Sequence, residues 1–231
     1  MKNANYQAAE GCKKANGTQW ERYDISLAVE CRLSISVNGT KYESLLCSPD
    51  EPEELIIGFL LTEGIIADAS QISGIELDES EMPESLFAAV TALPVFPDAE
   101  NRGKSAAWDC EMIKKFSDFV IGDALRSRSG HSTHSCSLMH SGDILCTRED
   151  IGRHNSLDRA VGWAAERGVR LSECIAFFSG RISEKAVQKA SAAGITVLCS
   201  KVLPTAQAVR LAAERGITLL HYSERRGILK F

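Results

Sequence analysis

The feature that most constrains the fold is a regular alternation of apolar strands and helices in the last third of the chain. Continuous apolar runs predict strands at 174–178, 195–199 and 217–221, with helices between them at 183–193 and 205–215. Strands that are apolar along their whole length are buried on both faces, and helical connections between them give parallel pairing. The sequence therefore predicts an α/β layer with a largely parallel sheet.

Polar and basic residues follow each of these predicted strands. In sheets of this kind ligands bind outside the carboxyl ends of the strands, where the free N–H groups of helix starts attract anions. One edge of the sheet would gather positive charges together with small residues that let a ligand approach. We predict that this edge binds phosphates. The candidate residues are Ser179, Gly180 and Arg181 after the first strand, Lys201 after the second, and Tyr222, Ser223, Glu224, Arg225, Arg226 and Gly227 after the third.

A further segment rich in charge, Arg148–Asp158, comes just before another predicted helix. Apolar residues at 157, 160, 161, 164 and 165 recur at helical spacing and would form its buried face. Asn155 is the predicted N-cap, with the acidic Asp158 in the first turn. Arg153 and His154 would lie beside the free N–H groups of the helix start, so both residues, together with Asn155, join the candidate anion site.

The distribution of charge agrees with this placement. Residues 148–231 carry 14 Lys and Arg against 8 Asp and Glu, whereas residues 1–147 carry 12 against 23, and these add to the net charge of −5. The C-terminal part is the part that would attract an acidic ligand. The chain has no run of about 18 apolar residues and no apolar signal segment at its start. We expect a cytoplasmic protein that binds neither a membrane nor a nucleic acid.

The first half of the chain predicts a smaller unit rich in strands. Residues 1–18 are polar and lack periodicity, which predicts a disordered tail. Alternating apolar residues over 24–37 predict a strand, and the following Asn38-Gly39 predicts a hairpin with a type I′ turn. The domains predicted are the tail, an N-terminal α+β subdomain at 19–105, and a C-terminal α/β cofactor-binding domain at 106–231.

Further elements of both units follow from local signals. An acidic segment containing proline, 48–52, opens a predicted helix that continues to Gly64. Weaker patterns predict strands near 75–77 and 87–96, and apolar spacing over 111–125 predicts a helix.

Eight cysteines are scattered along the chain without a CxxC pair, and in a reducing compartment we expect most of them to be thiols. Cys174 and Cys199 fall in predicted strands and are predicted to be buried. Cys110 belongs to the loop-like stretch 105–111 and is the candidate for an accessible, reactive thiol.

Three histidines, His131, His134 and His140, lie close to Cys136 in a segment rich in serine. Histidine and cysteine are the usual zinc ligands, but the spacing matches no common zinc motif. We therefore expect no zinc and no other metal site.

Four segments, taken together and in order, carry a family resemblance. They are Gly58–Ile66, Glu149–Asp158, Ser179–Glu184 and Pro204-Thr205. With them the chain resembles the FdhD/NarQ family of formate dehydrogenase accessory proteins from about Asp24 to its C-terminus. The resemblance implies a cytidine-deaminase-like three-layer α/β sandwich without the deaminase zinc, and a homodimer.

The resemblance also implies a sulfurtransferase function. A cysteine persulfide, loaded by a cysteine desulfurase, would deliver sulfur to the molybdenum bis(molybdopterin guanine dinucleotide) cofactor before the cofactor enters the formate dehydrogenase apo-enzyme. The cofactor is thus a bound substrate, and a nucleotide resembling guanosine diphosphate would suit the basic edge.

Carried over to this sequence, the family's C-terminal cofactor-binding segment corresponds to Tyr222–Gly227, with Glu224 where a basic residue is usual. His134 matches the histidine of a Thr-Gly-Gly-x-His element only loosely. The family's Cys-x-x-Cys is reduced to Cys110. One thiol suffices to carry a persulfide, because each transfer uses a single sulfur atom.

Two other functions remain open from the residues. The protein could be a binding module that holds the guanine dinucleotide and docks to the apo-enzyme without catalysing a reaction. The missing second cysteine favours this hypothesis. Zinc-dependent deamination is suggested only by the analogy of fold and by the histidine cluster.

Overall fold

The computed structural model describes residues 6–13, 21–93, 105–122 and 132–231, which contain twelve strands and five α-helices. The strands are β1 (Tyr6–Lys13), β2 (Glu21–Ala28), β3 (Cys31–Val37), β4 (Thr40–Cys47), β5 (Ile72–Asp78), β6 (Ser85–Ala92), β7 (His134–His140), β8 (Asp143–Asp150), β9 (Ile175–Phe178), β10 (Val197–Ser200), β11 (Thr218–Ser223) and β12 (Gly227–Lys230). The helices are α1 (Pro52–Thr62), α2 (Cys110–Gly122), α3 (Arg153–Glu166), α4 (Glu184–Ala192) and α5 (Ala206–Arg215).

The C-terminal part is built on a six-stranded sheet in the order β12-β11-β10-β9-β7-β8. The three central strands β9, β10 and β11 are parallel, as their apolar runs predict, and antiparallel pairs extend the sheet on both sides. The parallel strands all end at one edge of the sheet, which we call the carboxyl edge. β8 also ends there, and β7 and β12 begin there. The opposite edge is the amino edge.

Helices cover both faces of this sheet. α3, α4 and α5 pack on one face, where Leu157, Val187 and Ala208 are completely buried. α2 packs on the other face, with the Phe116 ring 5.3 Å from the Phe177 ring in an edge-to-face arrangement. The predicted three-layer α/β sandwich is confirmed.

The N-terminal part contains a four-stranded sheet in the order β4-β3-β6-β5, with α1 packed on one face. The predicted hairpin joins β3 to β4. Asn38 (φ 49°) and Gly39 (φ 78°) both adopt left-handed backbone conformations, which a type I′ turn requires. The burial pattern of β3 alternates as predicted, because its apolar residues face α1.

The two parts meet where α1 crosses α3 at two glycines. A Cβ atom on Gly58 of α1 would overlap the backbone carbonyl oxygen of Asp158, and one on Gly162 of α3 would overlap that of Glu54. The absence of side chains lets the two backbones touch. This close contact joins the two predicted domains, because α1 belongs to 19–105 and α3 to 106–231. The boundary between residues 105 and 106 stays a prediction.

The prediction of a disordered tail is wrong for Tyr6–Lys13, which forms β1 and pairs antiparallel with β2. Residues 1–5 and 14–18 lie outside the described residues. The segment Tyr6–Lys13 has no apolar alternation, so the pattern that predicts a strand from residue 24 onward does not extend to β1. Likewise the single strand predicted over 24–37 is two strands in different sheets, because β2 ends at Ala28 and β3 begins at Cys31.

β7 has no counterpart among the predicted elements. Its segment was identified only by its serines and histidines, yet Ser135 and Ser137 are completely buried. The Ser137 hydroxyl hydrogen-bonds the Thr147 hydroxyl of β8 at 2.8 Å, which satisfies it inside the sheet.

Gly58→Ala should lower the free energy of unfolding by about 2–4 kcal/mol, because a methyl group forces the α1 and α3 backbones apart. Urea unfolding followed by circular dichroism would measure the change. Gly74→Ala is the matched control, since a Cβ atom there meets nothing within 4 Å. Equal stability of the two variants would contradict the close helix contact.

Candidate functional site

A cleft of about 620 Å³ opens at the carboxyl edge of the six-stranded sheet. It lies between the loop after β10 and the turn that joins β11 to β12. We call it the basic cleft, because four of its residues are cationic. Its lining consists of Arg181, Lys201, Val202, Leu203, Pro204, Thr205, His221, Ser223, Arg225 and Arg226.

The structure brings Arg181, Lys201, Arg225 and Arg226 to one cleft from three strand ends, as the sequence predicts. Parallel pairing causes this, because β9, β10 and β11 end side by side. The volume lies within the range of small-molecule sites. Binding of phosphates by these side chains stays a prediction.

Hydrogen bonds between loops hold the walls of the basic cleft in place. The Ser200 hydroxyl donates to the Gly180 carbonyl at 2.9 Å and accepts from the Val202 N–H at 3.0 Å. The Thr205 N–H donates to the Ile182 carbonyl at 3.1 Å. Thr205 is also the N-cap of α5, accepting from the Ala208 N–H. The cleft is therefore formed by a fixed backbone.

Only some side chains of the predicted binding segment Tyr222–Gly227 line the basic cleft, because part of the segment belongs to β11. Successive side chains of β11 alternate between faces. His221 and Ser223 line the basic cleft, whereas Tyr222 is only 8% exposed and packs in the apolar cluster beneath α2. The Tyr222 side chain therefore does not line the cleft, and a cofactor-binding role for Tyr222 stays a prediction. Glu224 is exposed in the turn, and Gly227 has a φ of 67° that closes it.

His221 is the lining residue that sequence reasoning missed, together with the apolar loop Val202–Pro204. The sequence could have indicated His221, because it is two residues from the candidate Ser223 and therefore lies on the same face of the strand. Burial lowers the pKa of His221, and the charge of Arg226 lowers it further, against an opposing contact with the Ser200 backbone.

Arg153 and His154 lie beside the basic cleft but do not line it. Arg153 packs against Gly180, where a Cβ atom would come within 3.2 Å of the Arg153 Cβ. The His154 Nε2 lies 3.2 Å from the Ser183 hydroxyl. Burial, and then the charges of Arg153, Lys189 and Lys185, lower the pKa of His154 to about 4. His154 is therefore uncharged at neutral pH and is not a cation for phosphate.

The prediction that Asn155 caps α3 is wrong, because the helix begins at Arg153 with Gly152 as N-cap. Asp150 supplies the capping instead. Its Oδ1 accepts from the Gly152 N–H at 2.8 Å and from the Asn155 amide at 2.9 Å. Asn155 is buried and also donates to the Leu46 carbonyl, so its side chain serves structure rather than the basic cleft.

Asp158 is likewise not a surface acid in a first turn. It is buried and accepts hydrogen bonds from the Lys189 ammonium at 2.8 Å and from the Thr62 hydroxyl at 2.7 Å. These contacts tie α3 to α4 and to α1. A buried carboxylate is tolerated only with such partners.

His134 and Ser179 lie at the carboxyl edge, outside the cleft lining. The Ser179 hydroxyl accepts from the Ser135 N–H at 2.8 Å, and the Ser179 N–H donates back to the Ser135 carbonyl at 2.9 Å. His134 is the first residue of β7 and pairs in register with Asp150. These positions are near the N-terminus of α3, and a binding function for them stays a prediction.

Cys110 is exposed, as predicted, and is the first residue of α2. It lies toward the amino edge, because the preceding Ala106 N–H donates to the Thr196 hydroxyl just before β10. Met112 contributes to a separate cleft of about 360 Å³ there, with His140 and Glu173. Five residues of β-strand, roughly 17 Å, separate the Thr196 and Lys201 positions. The structure does not bring Cys110 to the basic cleft.

The other described thiols are buried and differ chemically from Cys110. Burial raises the pKa of Cys146 and Cys199 to about 12 and that of Cys174 to about 11. Such thiols are protonated at neutral pH and are poor nucleophiles. Within the described part of the chain, Cys110 is the candidate for thiol chemistry. The side chain of Cys12 lies outside it.

Three further results concern other features of the structure. A cleft of about 410 Å³ on the outer face of the four-stranded sheet includes the carboxylates of Glu76 and Asp78, which do not suit an anionic ligand. Among the described residues no group of three His, Cys, Asp or Glu could hold a metal ion; His131 lies outside them. No helix in the described ranges is long and apolar enough to cross a bilayer.

Comparison with known proteins gives concordant results. The model of the FdhD/NarQ family matches residues 28–126 and 111–229. The chain is 32% identical over 234 residues to the sulfur carrier protein FdhD of Geobacillus kaustophilus, covering 91% of this chain and 89% of the relative. It is 31% identical to the protein FdhD of Methanocaldococcus jannaschii, with 91% and 90% covered.

A solved structure supports the fold independently. It is a crystal structure assigned to a formate dehydrogenase accessory protein from Desulfotalea psychrophila, with a TM-score of 0.81 and 24% identity. The superposition covers 98% of this chain and 96% of that one.

The depressed pKa of His154 predicts a pH-dependent stability. The unfolded side chain takes up a proton below about 6.5, whereas the folded one resists until about 4, so the contribution is complete above pH 6.5 and is lost as the pH falls toward 4. From pH 6.5 to pH 4 the free energy of unfolding should decrease in both the parent protein and His154→Gln. The decrease should be smaller in His154→Gln, by at least about 1 kcal/mol. Urea titrations at several pH values would measure it. Parallel pH profiles would contradict the burial of an uncharged ring.

Proposed function

The chain belongs to the FdhD/NarQ family, and from this we propose that it is a sulfur carrier in the maturation of formate dehydrogenase. Its bound substrate is the molybdenum bis(molybdopterin guanine dinucleotide) cofactor. The observation that supports the binding step is the basic cleft, in which Arg181, Lys201, Arg225 and Arg226 converge. Each half of the cofactor carries a diphosphate, which suits cationic side chains that can donate several hydrogen bonds.

The basic cleft accepts the guanosine diphosphate end of the cofactor in this proposal. Thr205, the N-cap of α5, lines the cleft with the four cations, and a helix start favours an anion. The surrounding backbone is held by the Ser200 and Thr205 hydrogen bonds, so a ligand need not order it.

Cys110 carries the sulfur. Its thiolate attacks the outer sulfur of a persulfide on a cysteine desulfurase, the sulfur–sulfur bond of the donor breaks, and the donor cysteine leaves as a thiolate. The product is a persulfide on Cys110. The support for this assignment is exposure, because the remaining described thiols are buried. Delivery to the basic cleft then needs a rearrangement of residues 105–110 or the Cys110 of a second copy in a homodimer.

One observation favours a second candidate function. Cys110 lies toward the amino edge, whereas the basic cleft lies at the carboxyl edge of the same sheet. In this alternative the protein is a cofactor chaperone that binds the guanine dinucleotide and docks to the formate dehydrogenase apo-enzyme without transferring sulfur. Full maturation of formate dehydrogenase by the Cys110→Ala protein would favour the chaperone.

Guanosine diphosphate should bind to the basic cleft through its phosphates. Arg181→Ala and Lys201→Ala should each weaken binding by about tenfold, because each removes a hydrogen bond to a charged group. Isothermal titration calorimetry at low salt would measure the dissociation constants. Arg210→Ala is the matched control, because Arg210 is an exposed arginine of α5 outside the cleft. Equal affinities for all three variants would exclude the cleft.

Incubation with a cysteine desulfurase and cysteine should add one sulfur atom to the protein, and Cys110→Ala should abolish the adduct. Mass spectrometry of the intact protein would detect the addition, and treatment with a thiol reductant should remove it. Cys174→Ala is the control, since it removes a buried thiol and should leave the adduct unchanged. An adduct that persists in the Cys110→Ala protein would rule out Cys110 as the carrier.

A further inference from the structure

Two buried cysteines lie opposite each other at the open end of the β3–β4 hairpin. Cys31 is the first residue of β3, Cys47 is the last residue of β4, and the two are partners in the antiparallel register. Residues directly opposite each other in such a pair have Cα atoms about 4.5–5.5 Å apart, which is within the range that a disulfide needs. The backbone therefore places these two thiols where they can be joined without moving the strands.

The two side chains also share one face of the sheet. Both belong to the apolar cluster beneath α1, where Cys31 is 0% and Cys47 is 2% exposed. The Cys31 thiol donates to the Met82 Sδ at 3.7 Å, and the Cys47 thiol lies within hydrogen-bonding reach of it. In the strand registers of the described residues, no other two cysteines are opposite each other. This pair is therefore distinct from the remaining described thiols.

We propose that Cys31 and Cys47 are a redox-active dithiol, a modification site that a small-molecule disulfide such as oxidised glutathione converts to an intramolecular disulfide. The Cys31 thiolate attacks one sulfur of the oxidant, the sulfur–sulfur bond of the oxidant breaks, and one small thiolate leaves. The Cys47 thiolate then attacks the Cys31 sulfur of the mixed disulfide and displaces the second small thiolate. The pair loses two electrons and two protons, and the oxidant takes them up as two thiols. The site involves neither Cys110 nor the basic cleft.

The reduced pair is the resting form, because burial raises the pKa of both thiols. At Cys31 a hydrogen bond with Cys47 and the charge of Arg159 oppose this rise, whereas at Cys47 the charge of Asp150 adds to it. Cys31 is thus the thiol that ionises more readily, and it begins its strand directly after the exposed Glu30. The ends of strands open locally without global unfolding, and such an opening admits the oxidant.

The disulfide would fix a position next to the contact between the two parts of the chain. Ser48 follows Cys47 directly, and its N–H donates to the Asp150 Oδ2 at 3.1 Å while its carbonyl accepts from the Arg159 guanidinium at 2.6 Å. The linkage also closes residues 32–46 into a loop, which restricts the unfolded chain. Oxidation should therefore stabilise the folded protein.

Peptide mapping would detect the linkage. Arg32 and Lys41 lie between the two cysteines, so trypsin separates them in the reduced protein, whereas a disulfide keeps both peptides in one species. The folded full chain is incubated with oxidised glutathione, and the remaining thiols are alkylated before digestion. Mass spectrometry should find the linked species, and a thiol reductant should remove it. The thermal unfolding midpoint of the oxidised protein should be higher by about 5–10 °C.

Cys47→Ala should abolish both the linked species and the shift of the midpoint. Cys174→Ala is the matched control, because it removes a buried thiol that donates to the Arg170 carbonyl and should retain both effects. Cys110→Ala should retain both as well, which excludes pairing through the exposed thiol. The inference is overturned if the linked species is absent from the unsubstituted chain, or if it forms only in urea, where the strand pairing is lost. That result stands even where Cys47→Ala folds poorly.

Discussion

The contact between α1 and α3 is the constraint on which the candidate site depends. Gly58 and Gly162 let the two backbones touch, so α3 lies directly against α1. Two buried ion pairs flank the contact and hold the same helix. Arg159 Nε donates to Asp150 at 2.8 Å, and the Lys189 ammonium donates to Asp158 at 2.8 Å. Removing one member of such a pair leaves an uncompensated buried charge and costs about 3–5 kcal/mol.

These interactions connect the N-terminal sheet to the carboxyl edge of the six-stranded sheet. The Arg159 guanidinium also donates to the backbone carbonyls of Ser48, Asp50 and Glu51, which lead into α1. Asp150 accepts from the Ser48 N–H and from the start of α3. Arg153 then follows within the first turn and packs on Gly180, one residue before a cation of the basic cleft. Many of the charged residues in the segment Arg148–Asp158 thus position the site instead of binding a ligand.

The strands and helices after residue 170 could be predicted closely from sequence because each signal there is local. Apolar runs give the strands, and Ser183 and Thr205 cap their helices through their own hydroxyls. The order of those strands then places the four cations at one edge. The failures concern information that is not local. Asn155 has the properties of a cap, but its side-chain amide is buried and donates to Asp150 and to the carbonyl of Leu46, which is 109 residues away in sequence. The position of Cys110 depends on whether α2 begins at the amino edge or at the carboxyl edge of the six-stranded sheet. The pattern of apolar residues in α2 does not specify in which direction the helix runs across the sheet.

The placement of the exposed thiol and the basic cleft at opposite edges of one sheet has a consequence for the order of events. Molecules that approach the two edges do not compete for the same surface. Under the function proposed above, a protein that reacts with Cys110 and a nucleotide in the cleft would therefore approach one copy of the chain at different edges, and neither would have to depart before the other arrives.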